Sequence, residues 1–467
     1  MPRTDTITGR YGVRVAAGAE LLRQDHIARF EELFPQQSAH LDWTAEELRR
    51  AQDRGLRRLV ARAAAQSRWH HERLAGVEVS SLTADHLGGL PVMHKSDLME
   101  HFDDIVTDRR LTLDACERHV DALRGDASLL DEYHVVASGG SSGQRGVFVY
   151  GWDAWATCYS SIARFPARDR KQHPELAGRP PVVATVAAAK MSHISAAIGA
   201  TFSTPDRPRH SIPVSQPVEQ IVDRLNRLQP TTLMGYSSFL PRLAAETRAR
   251  RLRIAPQRVL AISEPLLPEV RADLEATWAV PVASGYGMSE GLFAGFCGYG
   301  SHLPDDVCLL ELVRADGTPV EAGETSAKAY VTNLYNPVVP LIRFEVTDEL
   351  AILEEPCPCG STFRRIADPL GRLDDTFVYP EGTAIHPHVF RSCLSHPGLV
   401  EYQVRQTARG ADISAVTSGE VDTDALASRI EDALRSLGLQ APAVTIATVD
   451  NIERQASGKL KRFVPRH

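Results

Sequence analysis

Four glycines and three serines stand almost side by side in Ser138-Gly139-Gly140-Ser141-Ser142-Gly143-Gln144-Arg145-Gly146. Tyr133-His134-Val135-Val136 before the run reads as a short buried strand, and Val147-Phe148-Val149-Tyr150 after it is apolar. A strand–loop–strand with so little side chain is poorly suited to packing. Small residues instead let backbone N–H groups and hydroxyls close around a tetrahedral anion. No Gly-Lys-Ser/Thr follows and no helix start is signalled, so the run is not a Walker A loop. Taken alone, it suits a flexible turn equally well.

Other stretches could share chemistry with that loop. Ser284-Gly285-Tyr286-Gly287-Met288-Ser289-Glu290 closes a strand-like segment with a carboxylate. Pro340-Leu341-Ile342-Arg343-Phe344 leads into Val346-Thr347-Asp348, and Arg343 is a candidate ion-pair partner for Glu345 or Asp348. Gly371-Arg372-Leu373-Asp374-Asp375 has the texture of a hinge, and Lys459 stands in Ser457-Gly458-Lys459-Leu460. Cys297, His302, Cys357 and Cys359 offer three thiolates and one imidazole, the donor set of a closed tetrahedral zinc site. The competing reading is buried packing cysteines plus a loop histidine, the role expected of Cys116, Cys158 and Cys393.

The surrounding elements must position these groups. At 467 residues the chain is too long for one core, so two or three domains are expected. Ala45 to Ala75 has helical periodicity, with Leu48, Leu56, Leu59, Val60 and Ala63 on one face. Beyond Pro91, helical patterns alternate with short runs such as 182–186, 258–262 and 330–332, which predicts α/β layers around a mostly parallel sheet. From Gly371 onward the texture becomes that of a small α+β unit, with a helix over 422–437. The expected division is a large region 1–370, a hinge 371–375 and a C-terminal lid 376–467. A net charge of −7 without a basic block argues against nucleic acid. No run is long enough to span a membrane, and seven cysteines in a chain of this size suit a reducing compartment, so a cytoplasmic location is expected.

The order and spacing of these motifs resemble the adenylate-forming superfamily, and most nearly its phenylacetate-CoA ligase branch. Leu56-Arg57-Arg58-Leu59, Leu90-Pro91-Val92-Met93-His94-Lys95-Ser96-Asp97-Leu98 and Cys357-Pro358-Cys359-Gly360 carry the likeness to that branch, which runs from about residue 45 to 465. The resemblance implies a large N-terminal domain of layered sheets and helices with a small mobile C-terminal domain. It implies that the loop Ser138, Gly139, Gly140, Ser141, Ser142, Gly143 wraps the triphosphate of ATP and that Glu290 holds Mg²⁺. Asp348 would take both ribose hydroxyls and Arg372 would lie near the ribose and α-phosphate. Tyr286 would lie along adenine, opposite Ser263-Glu264-Pro265. Tyr236, Phe239, His193 and Lys190 are the candidate walls of an acid pocket. Similar Cys/His sets occur in the branch as structural sites. The chain departs from the family at Gln144-Arg145-Gly146, at Ser263 before Glu-Pro and at Thr347 before the ribose aspartate, the last two being places commonly held by glycine.

Attack of a weak carboxylate on a phosphorus needs charge neutralisation and alignment. An ammonium on a tail loop, Lys459, can stabilise charge that develops only in the transition state. The expected reaction is adenylation of a small aromatic acid with MgATP and transfer to coenzyme A, the lid rotating about Asp374 between steps. Alternative acceptors are a carrier protein or an amine, and nitrite activation for diazotisation of an aryl amine is a further variant. A catalytically silent nucleotide-binding regulator is the alternative of another class. Oligomer formation stays open.

Overall fold

The computed structural model describes the chain except residues 1–7, 124, 139–144, 173–180, 189, 322, 370, 373–374, 395, 397, 418, 456–458 and 467, and except the side chains of 8–19, 371, 372 and 388. Five parallel strands form the central sheet, in the order Arg209–Pro213, Val183–Ala187, Thr232–Tyr236, Arg258–Ile262, Val282–Gly285. Helices Val218–Leu228, Leu240–Arg248 and Pro268–Trp278 connect them, as parallel pairing requires crossovers rather than tight turns. Leu233, Val259, Ala261, Leu240, Leu243 and Leu274 are fully buried between these layers. The apolar runs predicted as strands fall within strands, and the fold class is the α/β architecture expected.

Antiparallel pieces surround this sheet. The hairpin Tyr133–Ala137 with Val147–Gly151 flanks the Gly/Ser run. Cys308–Val313, Lys328–Asn333 and Phe344–Val346 form one three-stranded sheet. Short strands Ile352–Leu353, Arg365–Ile366, Ser301–His302 and Gly295–Phe296 form a four-stranded one. Helix Ala45–Gln66 begins where the sequence suggested, because Thr44 and Glu47 cap it reciprocally: Thr44 N–H donates to Glu47 Oε2 at 2.8 Å and Glu47 N–H to Thr44 Oγ1 at 3.3 Å. All of Leu48, Leu56, Leu59, Val60 and Ala63 are buried.

Before it runs a helix that the sequence pattern did not announce, Thr8–Ala39, packed along Trp152–Gln172. Near their junction lies a buried ion pair. Arg164 donates to both carboxylate oxygens of Asp306, at 2.6 and 2.7 Å, and each side chain is 1% exposed. Arg343 differs from expectation. Its guanidinium pairs with Glu311 at 3.0 Å and donates to Leu90 O, while Glu345 pairs with Lys328. The sheet order explains this: Lys328 lies on the strand paired directly with Phe344–Val346, and Glu311 lies one strand further on, opposite Tyr330, which is itself opposite Glu345.

The C-terminal region has its own core. Phe377, Tyr379, Phe390, Val404, Ile413, Ile430, Leu434 and Phe463 pack together beneath a four-stranded sheet in the order Ala443–Thr448, Gly410–Thr417, Leu399–Gln406, Phe463–Val464. Its helix Thr423–Ser436 is capped by Asp422, which accepts from Ala425 N–H at 2.9 Å. All seven cysteines are free. Among the described residues, no helix is long and apolar enough to cross a membrane.

Candidate active site

Most candidate residues gather at one edge of the parallel sheet, the carboxyl ends of its strands, where open α/β sheets bind ligands. Strand Arg258–Ile262 runs out into Ser263 beside the strand that runs out into Tyr286, with Ile262 paired to Gly285. Ser263 adopts φ of +64°, the left-handed conformation that favours glycine, so the departure at this position keeps the turn at a cost in backbone strain. Ser284 is buried, and its carbonyl accepts from Ser301 Oγ at 2.8 Å.

The Tyr286 segment folds back on itself. Ala294 N–H donates to Tyr286 O at 2.9 Å, Met288 N–H to Leu292 O at 3.0 Å and Gly291 N–H to Met288 O at 3.0 Å. Gly291 has φ of +101° and no room for a Cβ, which would fall 2.3 Å from Asn333 Nδ2. Three side chains grip this turn from outside: Tyr150 Oη donates to Ser289 O at 2.5 Å, Asn333 Nδ2 to Glu290 O at 2.9 Å and Tyr335 Oη to Gly291 O at 2.6 Å. Burial raises both tyrosine hydroxyls well above their ordinary pKa, so they stay protonated donors. The Glu290 backbone is thereby fixed.

Tyr286 Oη donates to Asp348 Oδ2 at 3.0 Å. Asp348 in turn lies opposite Arg372 in the antiparallel pair Asp348–Glu349 with Gly371–Arg372. Aromatic ring, carboxylate and arginine backbone are thus adjacent. Asp374 lies outside the described residues, as does the Arg372 side chain.

Residues 139–143 of the Gly/Ser run also lie outside the described residues, but its neck does not. Ser138 N–H donates to Gly146 O at 2.9 Å, and Gly146 N–H returns to Ser138 Oγ at 2.8 Å. Ala137 N–H donates to Ser192 O at 2.8 Å, tying the neck to the turn Lys190–His193. Burial, then the positive charges of Lys459, Lys190 and Arg145, bring His193 down to about 4. It is therefore neutral at pH 7, and Arg145, one of those cations, pairs with Asp121 at 3.2 Å.

On the acid side, Tyr236 and Phe239 are each 2% exposed. The Tyr236 hydroxyl accepts from Ala188 N–H at 2.9 Å. Phe239 lies under two guanidinium groups, Arg242 and Arg454, each 5.7 Å from its ring centre. Glu264 Oε2 accepts from Ser238 N–H at 2.9 Å, and Oε1 accepts from Leu460 N–H at 3.0 Å, directly after Lys459.

The four zinc candidates, up to 62 residues apart in sequence, meet with all ligand atoms within 4.8 Å. Cys297 Sγ is 3.1 Å from His302 Nε2 and 3.6 Å from Cys357 Sγ, and Cys359 Sγ is 3.4 Å from His302 Nε2. A tetrahedron with zinc–sulfur bonds of about 2.3 Å has edges of roughly 3.5–3.8 Å, which the sulfur–sulfur separation of 3.6 Å matches, while the two sulfur–nitrogen contacts are tighter. His302 Nδ1 donates to Phe363 O at 2.8 Å, which leaves Nε2 as the lone-pair nitrogen aimed at the sulfurs, the orientation a metal-bound imidazole needs. The ring is also held flat against Phe165, centres 4.5 Å apart.

No family model and no curated protein sequence matches the chain. Solved structures do. A 2-hydroxyisobutyryl-CoA ligase in its postadenylation state with R3-HIB-AMP aligns over 92% of this chain and 91% of its own, at 18% identity and a TM-score of 0.69. The chain has the fold of that ligase. The same ligase with 2-HIB-AMP and CoA in the thioesterification state aligns over 91% of each chain at 19% identity, but the TM-score falls to 0.56. The arrangement of this chain is therefore nearer the postadenylation form of the fold.

Within that fold, several contributors carry no motif. Tyr150, Asn333 and Tyr335 clamp the Glu290 turn, and Arg454 stands between the C-terminal region and Phe239. Lys95 approaches the loop neck, its Cε 3.2 Å from where a Cβ on Gly146 would lie. Lys95 and Tyr150 fell within stretches the sequence singled out, neither of them for this role.

Proposed function

We propose that the chain is an AMP-forming acid–thiol ligase that adenylates a small aromatic carboxylic acid and passes the acyl group to coenzyme A. The observation that carries this reading is the sheet edge at which Tyr286 Oη donates to Asp348 Oδ2 at 3.0 Å while Glu264 accepts from Leu460 N–H, the residue after Lys459, at 3.0 Å. Tyr286 and Asp348 supply the nucleoside end of the same sheet edge.

In the first step a carboxylate oxygen bonds to the α-phosphorus of ATP and the bond to pyrophosphate breaks. The loop 138–143 receives the phosphates, Asp348 the ribose hydroxyls, Tyr286 and Ser263-Glu264-Pro265 the adenine, and Arg372 the α-phosphate side. Lys459 neutralises charge gathering on the reacting oxygens. Glu290 would hold Mg²⁺, which supplies charge to the phosphate oxygens when bound. In the second step the thiol of coenzyme A, losing its proton, bonds to the acyl carbon and AMP departs. The region 376–467 turns about Asp374 between the two steps, withdrawing Lys459.

Ala196, Gly199 and Ala200, following His193, are small, and a Cβ on Gly199 would meet nothing within 4 Å. Cys297, His302, Cys357 and Cys359 hold a structural Zn²⁺ in this reading. The decisive experiment is pyrophosphate release from purified protein with MgATP across aryl acids, alkyl acids, amino acids and nitrite with aryl amines, each with and without coenzyme A. Release with an aryl acid and a CoA thioester by mass supports the proposal. Release only with nitrite and an amine replaces the acid, release without thioester replaces the acceptor, and no release from any mixture leaves a silent nucleotide binder.

A further inference from the structure

The Glu264 carboxylate joins two backbone amides that lie 222 positions apart. One belongs to Ser238, at the end of the turn after strand Thr232–Tyr236; the other belongs to Leu460, the residue after Lys459. Ser237 Oγ lies 3.4 Å from the same oxygen and donates to Pro265 O at 2.7 Å, which stiffens the turn that presents Glu264. Gln455 N–H donates to Lys459 O at 3.0 Å, which ties the residue before Leu460 back to Gln455. Leu460 is 5% exposed.

A second contact runs parallel to the first. Arg454 Nη1 donates to Ser238 Oγ at 3.1 Å, and its guanidinium lies over Phe239, 5.7 Å from the ring centre. Glu401, 1% exposed on strand Leu399–Gln406, aims Arg454 by an ion pair. Arg242 reaches the other way, Nη2 to Asn451 Oδ1 at 2.9 Å. Charged groups from both regions therefore converge on one turn, Ser237-Ser238-Phe239.

We infer that Glu264 is a positioning residue for Lys459, and that with Arg454 and Glu401 it forms a latch holding the C-terminal tail on the large region. This inference rests on the proposed adenylation only in its claim about which half-reaction the latch serves. A carboxylate is suited to this place because each of its oxygens accepts from a different amide, whereas a carboxamide has one acceptor oxygen and presents N–H groups to the second amide. Opening the latch exposes the Leu460 amide to water, and that event is measurable without any substrate.

The test is hydrogen–deuterium exchange on the full chain, following peptides over 459–463, in wild type, Glu264→Gln, Glu264→Ala and Arg454→Lys. Exchange at Leu460 should rise at least about 10-fold in Glu264→Ala and by a smaller factor in Glu264→Gln, while strand 410–417 keeps wild-type protection as the folding control. Arg454→Lys keeps the charge facing Glu401 but loses the guanidinium fork, and should also raise Leu460 exchange. Unchanged Leu460 exchange in all three variants overturns the latch. The half-reactions then separate positioning from plain structure: Arg454→Lys should slow acid-dependent pyrophosphate release about 10-fold yet leave thioester formation from a preformed acyl-adenylate within 2-fold. Equal slowing of both steps overturns the positioning role. If wild type releases no pyrophosphate with any acid, the adenylation reading fails while the exchange result still decides the latch.

Discussion

Replacing Cys357 by serine should remove a metal, and the cost can be anticipated from the cluster's geometry. Three sulfurs and one imidazole nitrogen lie within 4.8 Å, and Cys297, His302 and Cys357 are all under 9% exposed. A bound divalent ion would neutralise thiolates that the buried site cannot otherwise hold together, and it would tie the segment at 297–302 to the one at 357–359. With free zinc at 1,000 times the dissociation constant, binding adds about 4 kcal/mol to the folded state. In a domain longer than about 250 residues each kcal/mol moves Tm by roughly 1–2 °C, so loss of the ion should lower it by on the order of 5 °C. Cysteine-to-serine replacement has a cost of its own, and Cys393→Ser measures it. Cys393 is 6% exposed, and its Sγ lies 3.9 Å from Arg429 O, outside the cluster. The assay is metal content by plasma mass spectrometry with thermal unfolding, on wild type, both variants and chelator-treated wild type. One zinc per chain in wild type and Cys393→Ser, lost in Cys357→Ser with the larger drop in Tm, is the expected result. Wild type without zinc, or a Cys357→Ser Tm no lower than that of Cys393→Ser, would refute the site.

Lys459→Ala should slow acid-dependent pyrophosphate release about 100- to 1,000-fold while ATP affinity stays within 2-fold; an unchanged rate removes Lys459 from the chemistry. Asp348→Asn should raise the KM for ATP about 10-fold, and Tyr286→Phe by less, since the phenol's hydrogen bond only orients that carboxylate. Burial would raise the Asp306 pKa, but the Arg164 charge and hydrogen bonds, aided by His40, outweigh it and bring Asp306 down to about 2. A depressed carboxylate contributes stability above its unfolded value near 3.9 and loses it as pH falls toward 2, here about 2 kcal/mol. Denaturant titrations from pH 6 to 2 should show this loss in wild type; in Arg164→Met, which leaves Asp306 buried without its cation, stability at pH 7 should fall by about 3–5 kcal/mol and the acid-side loss from this residue should vanish.

Local pattern made much of the frame readable. Alternating apolar runs marked the strands of the parallel sheet, and the amphipathic face from Leu48 to Ala63 marked a helix, because burial of one face is written in residue spacing. The Gly/Ser run was legible as a loop between strands for the same reason. The gathering of cysteines was visible in composition, although only the fold brings residues 297 and 357 within 3.6 Å. Pairings between distant charges were not legible. Arg343 had acids at 345 and 348 nearby in sequence, yet sheet register gave it Glu311. Glu264 offered no sign that its carboxylate reaches Leu460, nor Glu401 that it orients Arg454. Such choices depend on which strands become neighbours. Ser263 lies between these cases: the sequence marks a place where glycine is usual, and the φ of +64° gives the reason.

The Cys/His cluster and the proposed nucleotide site are built on the same short strands, and this would link stability to chemistry. From Tyr286 the chain turns through Glu290 and enters Gly295–Phe296, which leads directly to Cys297 and pairs with Ser301–His302. His302 in turn pairs with Arg365, the strand that follows Cys357 and Cys359. Six residues after Arg365 the chain reaches Gly371–Arg372, which pairs with Asp348. Gly295 has no room for a Cβ against helix Trp152–Gln172, where Phe165 would lie 2.4 Å away, so this strand cannot drift outward to absorb a change at Cys297. A metal there would set the spacing between the turn that carries Glu290 and the strand pair that carries Asp348. Metal loss should therefore raise the KM for ATP as well as lower Tm, and the two effects should appear together as zinc is titrated back into chelated protein. Recovery of Tm without recovery of KM would show that the cluster supports only its own corner of the fold.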